Sequence, residues 1–260
     1  MTKALLDVIF ASGKRKSVLQ LLQNGPQEME YLLTSLDTTR QALLPQIRIL
    51  ENNNLIDQHK DTYQLTIIGK LLVDKMAPFL ETIEVLDVNI DYWGTHNIDF
   101  IPPHLLKTIK EMKNCEIINP PLTELYSLHR SFHHTRNTES VYIASNILYP
   151  NYSTIFTELF DNKITLNYIV SKDLLNKIRT DHYDYFKDFI KSKYLKLYVY
   201  NGKMDFLLFT YDDFHIVINM LKKGGDFDSR FILCSTQNAL EWGKDMFNYY
   251  LKDSVKITEI

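Results

Sequence analysis

The chain has 260 residues, of which 45% are hydrophobic and 23% are charged, and its formal net charge is −3. This composition is typical of a soluble, globular protein that is long enough for two domains with real cores. No segment approaches about 20 uninterrupted apolar residues, so a membrane-spanning helix is excluded at the level of sequence. The apolar stretch ALLDVIFA is too short for a signal sequence and is interrupted by Asp7. We expect a cytoplasmic protein with no membrane partner.

The charge balance differs slightly between the two ends of the chain. Residues 1–78 contain nine Lys or Arg against eight Asp or Glu, whereas residues 79–260 contain 20 against 24. A small DNA-contacting region can be neutral or basic within an acidic chain, so the net charge excludes nothing about nucleic acids.

Two cysteines, Cys115 and Cys234, lie far apart in apolar runs. This spacing suggests neither a disulfide framework nor a zinc ribbon, and we predict buried thiols. The chain also lacks a Gly-x-Ser-x-Gly elbow, a glycine-rich phosphate loop and a Cys-x-x-Cys pair. We therefore expect no bound cofactor, no metal and no nucleophilic catalyst.

The first part of the chain predicts helices followed by a β-hairpin. Apolar positions over residues 3–24 indicate a helix that ends at the strong stop Asn24-Gly25-Pro26, and MEYLLTSL predicts a second, short helix. A third helix follows Thr38 or Thr39, either of which can cap it. The stretch LIDQ-HKD-TYQLT then predicts two strands around a three-residue turn. This order is that of a winged helix-turn-helix, which we assign to residues 1–68.

The third helix, residues 38–52, carries Leu43, Ile47 and Leu50 on one face. Its opposite face is polar and includes Pro45, which deprives the Gln41 carbonyl of its helical donor. Water or a bound partner can supply that donor if the face is exposed. The sequence leaves open whether Pro45 kinks this helix or marks a later start.

We predict that this helix enters the major groove of DNA, where an arginine can pair with guanine and a glutamine with adenine. Phosphate contacts are expected from the middle of the helix and from the wing. The predicted DNA-binding residues are Thr38, Thr39, Arg40, Gln41, Arg48, His59 and Lys60. The basic residues at 14–16 either contact the DNA backbone or form a solvated turn. A winged helix that docks onto protein is the alternative.

A long helix is predicted from its cap at Thr66 onward. Apolar residues spaced 4, 3, 4, 3 and 4 apart form a heptad seam, which requires a partner helix. The predicted homodimer contacts are Leu72, Met76, Phe79, Ile83, Leu86 and Ile90. We assign residues 69–110 to a helical linker and dimerisation region. Pro78 is expected to kink or divide the helix, and packing within the chain is the alternative.

Beyond residue 110, apolar strand candidates alternate with helical stretches. This alternation predicts an α/β domain over residues 111–260 with a mixed, partly parallel sheet and a hairpin turning near Tyr211-Asp212-Asp213. The strand candidates are CEII, SVYIASN, ITLNYIVS, LKLYVYN, MDFLLFTYDDFHIVINML and RFILCST. The long helix thus joins an all-α winged-helix domain to this α/β domain.

Three of these strand candidates end in a serine. The carboxyl ends of parallel strands share one edge of a sheet, where ligands commonly bind. The predicted effector-binding residues are Ser145, Ser171 and Ser235, with Arg130 and His133. Alternatively, each serine caps a helix. His129 and His133 are one helical turn apart, which suits a metal pair, but packed or solvated histidines, or an anion site with Arg130 or Arg136, fit better.

The segments TTRQALLPQIRILENNNLI, YQLTIIGKLLVDKMAPFLETIEVLDVNIDYW and THNIDFIPPHLL together cover the end of the winged helix and the connection that follows it. In these segments the chain resembles the archaeal methanogenesis regulatory proteins, winged-helix transcription factors found mostly in methanogens. The C-terminal half also resembles the phospholipase-D-like sensor domain of archaeal sugar-responsive regulators. The His-x-Lys signature of the phosphodiesterases is missing, since Ile216 and Val217 follow His215. The resemblance therefore implies sensing rather than hydrolysis.

These observations predict a homodimeric transcription regulator rather than an enzyme. Its expected partners are double-stranded DNA, a second copy of the chain and a small-molecule effector. An enzyme acting on a phosphorylated or sugar-like metabolite and a protein-interaction module are the alternatives.

Overall fold

The computed structural model describes residues 4–124 and 138–260. The chain forms two compact units, Met1–Glu81 and Thr82–Ile260. The division falls inside one long helix, so both units share the region 69–110 that we assigned to a linker. Within the described residues, no helix has the length and apolar character needed to cross a membrane.

The first unit is a winged helix-turn-helix, as predicted. Its helices are α1 (Leu5–Phe10), α2 (Gly13–Leu21), α3 (Met29–Ser35), α4 (Arg40–Asn52) and the start of α5 (Ile67–Asp87). Its strands are β1 (Gln27–Glu28), β2 (Ile56–His59) and β3 (Thr62–Leu65), which form an antiparallel sheet in the order β1-β3-β2. The segment predicted as one N-terminal helix is two helices, because the chain turns between α1 and α2. The wing turn is one residue shorter than predicted, since His59 pairs with Thr62.

Helix α4 begins before Pro45 and contains it. Thr39 is its N-cap, and the Thr39 hydroxyl accepts a hydrogen bond from the Ala42 amide at 3.4 Å. Pro45 is therefore an interior residue, and the helix continues past it to Asn52. Leu43, Ile47 and Leu50 are completely buried, whereas Pro45 is exposed. The predicted outward face is confirmed.

The base of the wing is tied together where α5 begins. The Thr66 hydroxyl donates to the Asn54 carbonyl at 2.7 Å and accepts from the Gly69 amide at 2.9 Å, which confirms the predicted cap. The Thr66 amide donates to the Leu55 carbonyl at 3.1 Å. A Cβ added at Gly69 would overlap that same carbonyl oxygen, so only glycine fits this position.

The residues predicted to form a heptad seam differ in exposure and do not all lie on helix α5. Pro78 does not divide it, since it runs unbroken to Asp87, and Ile90 belongs to the next helix. Met76 is buried within its own chain and has no surface to offer a second copy. Phe79 is 57% exposed, and Leu72, Ile83 and Leu86 are partly buried. The six residues therefore do not form one continuous exposed seam.

The second unit is a mixed α/β domain, as predicted. Its helices are α6 (Ile90–Thr95), α7 (Pro103–Leu106), α8 (Tyr152–Asp161), α9 (Lys172–Asp181), α10 (Tyr183–Phe189) and α11 (Gln237–Lys252). Its strands are β4 (Glu116–Ile118), β5 (Ser140–Ser145), β6 (Thr165–Val170), β7 (Leu195–Tyr200), β8 (Phe206–Tyr211), β9 (Ile216–Met220), β10 (Phe231–Cys234) and β11 (Ser254–Ile257). Short 3-10 turns complete it. Strand β11 was not predicted, because SVKI contains two polar residues and no turn signal precedes it.

The sheet of the second unit has the order β11-β7-β6-β5-β8-β9-β10-β4. Strands β5, β6 and β7 are parallel, and the other pairs are antiparallel. Helices α8, α9 and α10 cover one face, with Phe156, Leu175 and Phe186 in that core. Helix α11 covers the other face together with α6 and α7, through residues such as Tyr92 and Trp242. The second half of the predicted linker therefore belongs to the core of this unit.

The prediction of free thiols is wrong. Cys115 and Cys234 are buried as expected, but they form a disulfide bond across a sequence separation of 119 residues. Strand β10 pairs with β4 at Leu233 and Glu116, and each of these residues is adjacent to one cysteine. The pairing of two strands from opposite ends of the domain brings the two sulfur atoms together.

Candidate nucleic-acid interface

The predicted DNA-binding residues lie on the outward face of α4 and on the wing. Thr39, Arg40, Gln41 and Arg48 are exposed, and Thr38 is partly buried. His59 and Lys60 are exposed at the end of β2 and in the wing turn. These side chains carry hydrogen-bond donors on two neighbouring parts of the first unit.

An ion pair connects the start of α4 to the wing turn. Nη2 of Arg40 lies 2.6 Å from Oδ1 and 2.9 Å from Oδ2 of Asp61. Both side chains are more than half exposed, at 55% and 60%. Asp61 was not among the predicted site residues, because a negative charge is not itself a DNA contact and the pair spans 21 residues of sequence.

The wing turn is held by hydrogen bonds to its backbone carbonyls. Lys60 has a φ of 59°, in the left-handed region, and its carbonyl accepts a hydrogen bond from the Gln58 side chain at 2.6 Å. The Asp61 carbonyl accepts from the Met29 amide, the first residue of α3, at 3.1 Å. Beneath the wing, burial raises the pKa of Tyr63, and the negative charges of Asp61 and Glu51 add to this effect. The turn thus has a fixed position relative to the helix-turn-helix.

The basic stretch at the start of α2 is not uniformly exposed. Arg15 is 5% exposed, and its Nη2 donates to the Asp7 carbonyl at 3.1 Å. Asp7 is in the last turn of α1, so Arg15 stabilises the end of that helix. Lys14 and Lys16 are only partly buried. Arg15 is therefore neither part of a solvated turn nor available for contact with the DNA backbone.

The predicted effector residues do not form one cluster. Ser145 and Ser171 lie at the same sheet edge, where the Ser171 amide donates to the Ser145 carbonyl at 3.2 Å. Ser235 follows the antiparallel strand β10, whose end lies beside Ile216 at the opposite edge. The expectation that all three serines gather at one edge is therefore wrong. Arg130 and His133, like His129, lie outside the described residues.

The two serines that do meet are used within the fold. Ser145 is 1% exposed, and its hydroxyl contacts the backbone of Ile147 and of Leu207 at 2.7–3.0 Å. Ser171 caps α9 by accepting from the Leu174 amide at 3.1 Å. This is the capping role that we gave as the alternative.

An open groove of about 630 Å³ lies on the outer side of the helical layer of this unit. Its lining includes hydroxyl groups from α8 and carboxylates from α10. The lining residues are Ser153, Thr154, Thr157, Glu158, Asp184, Tyr185, Asp188 and Phe189. None of the predicted effector residues is among them. Within the described residues, no group of three or more His, Cys, Asp or Glu side chains could hold a metal ion.

A buried ionic cluster lies where α6 meets the β9–β10 connection. Asp228 accepts from Arg230 Nη2 at 2.7 Å and from the Arg230 backbone amide at 2.9 Å. The ring of His96 lies between the Asp228 carboxylate, 3.2 Å from Nε2, and the Tyr92 carbonyl, 2.7 Å from Nδ1. Burial opposes ionisation of Asp228, but the hydrogen bonds and charge of Arg230, together with His96, outweigh it and lower its pKa from 3.8 to about 2. This cluster stabilises the fold of the second unit.

The described residues thus form a winged helix-turn-helix, followed along the chain by a mixed α/β domain. The chain belongs to the family described as "Methanogenesis regulatory protein FilR1, middle domain", which matches residues 122–253. The N-terminal domain of HVO_A0261 matches residues 5–87. The resemblance stated from sequence is confirmed.

The chain is also similar to individual proteins. Methanogenesis regulatory protein FilR1 of Methanothrix harundinacea (strain 6Ac) is 20% identical over 96% of this chain, and the chain spans 58% of that relative's length. The archaeal chromatin protein TrmBL2 has 13% identity, a TM-score of 0.44 and coverage of 97% of both chains. Quinone-bound YodB from B. subtilis has 17% identity and a TM-score of 0.27, over 29% of this chain and 88% of that one.

Proposed function

We propose that this protein is a cytoplasmic transcription regulator that binds duplex DNA as a homodimer and responds to a small-molecule effector. The observation that carries the proposal is the exposed polar face of α4, with Arg40 and Gln41 in its first turn beside the wing turn. A helix of this kind reads base edges with its N-terminal residues, while flanking residues contact phosphates. The name of the FilR1 relative, a regulatory protein, supports the same class of function.

A gel-shift experiment with genomic fragments tests DNA binding. We expect Arg40→Ala and Gln41→Ala each to weaken binding to a fragment that the wild-type protein binds. The expected loss is about 1–3 kcal/mol, because each side chain can form two hydrogen bonds with one base. Lys191→Ala is the matched control, since it removes one exposed positive charge from the second unit. Failure of the wild-type protein to bind any fragment at low salt would contradict the proposal.

The homodimer is proposed to form through the exposed apolar residues of α5. Phe79 is 57% exposed, and Ile68 and Leu71 are 51% and 62% exposed. Exposed apolar side chains at helical spacing favour a partner helix. We expect Phe79→Asp to convert a dimer to a monomer in sedimentation equilibrium, whereas Lys70→Asp, at an exposed position on the other side of α5, leaves the dimer in place. A wild-type monomer at micromolar concentration would contradict this part of the proposal.

The second unit is proposed to bind the effector. The groove on α8 and α10 is suited to a polar ligand with an apolar part. Its lining carries hydroxyl and carboxylate groups together with the aromatic rings of Tyr185 and Phe189. Mass spectrometry of small molecules that co-purify with the chain, followed by measurement of their effect on DNA affinity, tests this proposal. A ligand that binds without changing DNA affinity would not be an effector.

A further inference from the structure

Asp61 is the negatively charged member of the ion pair at the proposed DNA-binding surface. Its two contacts with Arg40, at 2.6 and 2.9 Å, are both made by Nη2. The guanidinium group has five N–H donors in a planar fork. Nε and Nη1 therefore make no contact with Asp61. They lie on different edges of the guanidinium plane, so a two-bond contact with guanine uses one of them together with the second N–H of Nη2.

The backbone of Asp61 has a defined position. Its own backbone carbonyl accepts from the Met29 amide at 3.1 Å, and the preceding residue, Lys60, adopts the left-handed conformation of the wing turn. The side chain is 60% exposed. The negative charge of Asp61 is thus at the surface, in contact with the first residue of α4.

A carboxylate at this place acts differently on the two kinds of DNA contact. Phosphates are negatively charged and are present in every sequence, so Asp61 repels them and competes with them for Arg40. The O6 and N7 atoms of guanine are neutral acceptors and are present only in the correct sequence. The carboxylate therefore weakens sequence-independent binding more than binding to the correct site.

We propose that Asp61 is a specificity-determining residue that holds Arg40 through Nη2 and directs the rest of its guanidinium group to guanine rather than to phosphate. This inference rests on the proposed DNA-binding function. It assigns to a negative charge a role in DNA recognition that is opposite to that of the surrounding cations.

The test compares Asp61→Asn with the wild-type chain on two duplexes of about 30 base pairs, roughly three helical turns. One duplex is enriched by the wild-type protein from a random-sequence pool, and the other is a scrambled duplex of equal composition. Binding is followed by fluorescence anisotropy between about 50 and 300 mM KCl. Asp57→Asn is the matched control, because Asp57 is an exposed acid on β2 of the same wing.

For Asp61→Asn we expect about fivefold tighter binding to the scrambled duplex, because one repulsive charge is removed. The slope of log K against log salt on that duplex should steepen by about 1, as for one added phosphate contact. Affinity for the enriched duplex should change by less than about twofold, so the ratio of the two affinities falls. Asp57→Asn should leave the ratio unchanged.

Different results would contradict the proposed DNA-binding function and the proposed role of Asp61. A wild-type chain that binds neither duplex contradicts the proposed function itself. A wild-type chain that prefers the enriched duplex, with the same or a larger preference in Asp61→Asn, overturns the role of Asp61 alone. Circular dichroism of Asp61→Asn confirms that the compared proteins are folded.

Discussion

Each compact unit contains an arginine–aspartate pair, and the two pairs have opposite surroundings. In the first unit, Arg40 and Asp61 are 55% and 60% exposed and are connected through one nitrogen atom. In the second unit, Asp228 is 9% exposed and Arg230 is 30% exposed, and the carboxylate contacts both Nε and Nη2 of Arg230. The chemical groups are the same, but only the second carboxylate has lost most of its water.

The difference shows how burial decides what an ion pair does. An exposed pair contributes about 0–1 kcal/mol, because water solvates the separated charges nearly as well. Arg40 in such a pair can add a contact with DNA at small cost while it keeps Asp61 as its partner. Removing one member of a buried pair leaves an unpaired charge and costs about 3–5 kcal/mol. The buried pair therefore maintains the fold, and the exposed pair is free to serve recognition.

The largest effect is expected for Asp228→Ala. This change leaves the Arg230 guanidinium and His96 without their carboxylate, and we expect the free energy of unfolding of the second unit to fall by about 3–5 kcal/mol. Urea denaturation followed by tryptophan fluorescence measures this unit alone, because Trp93 and Trp242 both lie in it. Asp226→Ala, at an exposed acid two residues away, is the control. Equal stability of the two variants would contradict the comparison.

Acid should remove part of the same stabilisation. Because the pKa of Asp228 is about 2 in the folded protein against its usual 3.8, the contribution of its ionised form is complete above about pH 4. It is lost as the pH falls toward 2, and its size is about 2 kcal/mol. Urea denaturation of the wild type and of Asp228→Asn between these pH values measures the difference. The same pH dependence in both proteins would exclude Asp228 as its source.

A smaller effect is expected for Asn219→Ala. The Asn219 side chain is 5% exposed, and its Nδ2 donates to the carbonyls of Asp228 at 3.1 Å and Arg230 at 2.7 Å. Removing these donors takes the side-chain partner from the Asp228 carbonyl and leaves the Arg230 carbonyl with the longer hydrogen bond from the Tyr92 hydroxyl at 3.4 Å, which should cost about 1–3 kcal/mol. Tryptophan fluorescence in urea again measures the loss, and Asn201→Ala, at an exposed position, should have almost no effect. A loss as large as that of Asp228→Ala would show that the loop backbone, not the charge, dominates.

The smallest effect is expected at the exposed pair. Arg40→Ala and Asp61→Ala should each lower the free energy of unfolding of the first unit by less than about 1 kcal/mol. A double-mutant cycle, with urea denaturation followed by circular dichroism, isolates the coupling between the two side chains. A coupling of several kcal/mol would place this pair in the same class as the buried one.

Local patterns predicted most of the fold. The apolar spacing of Leu43, Ile47 and Leu50 and the cap at Thr39 determine α4 within one short segment. The apolar runs likewise located the strands of the mixed sheet, because strands such as β6, β8 and β9 are buried along most of their length. The direction of β10 could not be predicted in this way, and so Ser235 was placed at the wrong edge.

Contacts between distant residues were not predictable from one sequence. The His96–Asp228 contact spans 132 residues, and the disulfide joins residues 119 apart. Their formation depends on strand order, which no local pattern encodes. The Arg40–Asp61 pair is nearer in sequence, but a search for cations alone overlooks its acidic member. Exposure of the predicted DNA-binding residues agrees with the prediction, and their contact with DNA remains a prediction.

The closed base of the wing limits how that hairpin can move. Thr66 connects the start of α5 to the backbone of Asn54 and Leu55, and Gly69 leaves no free space there. The hairpin consequently has no hinge at its root. Adjustment to grooves of different width must come from twisting of the two strands along their length, so the tip turns about the hairpin axis instead of swinging open.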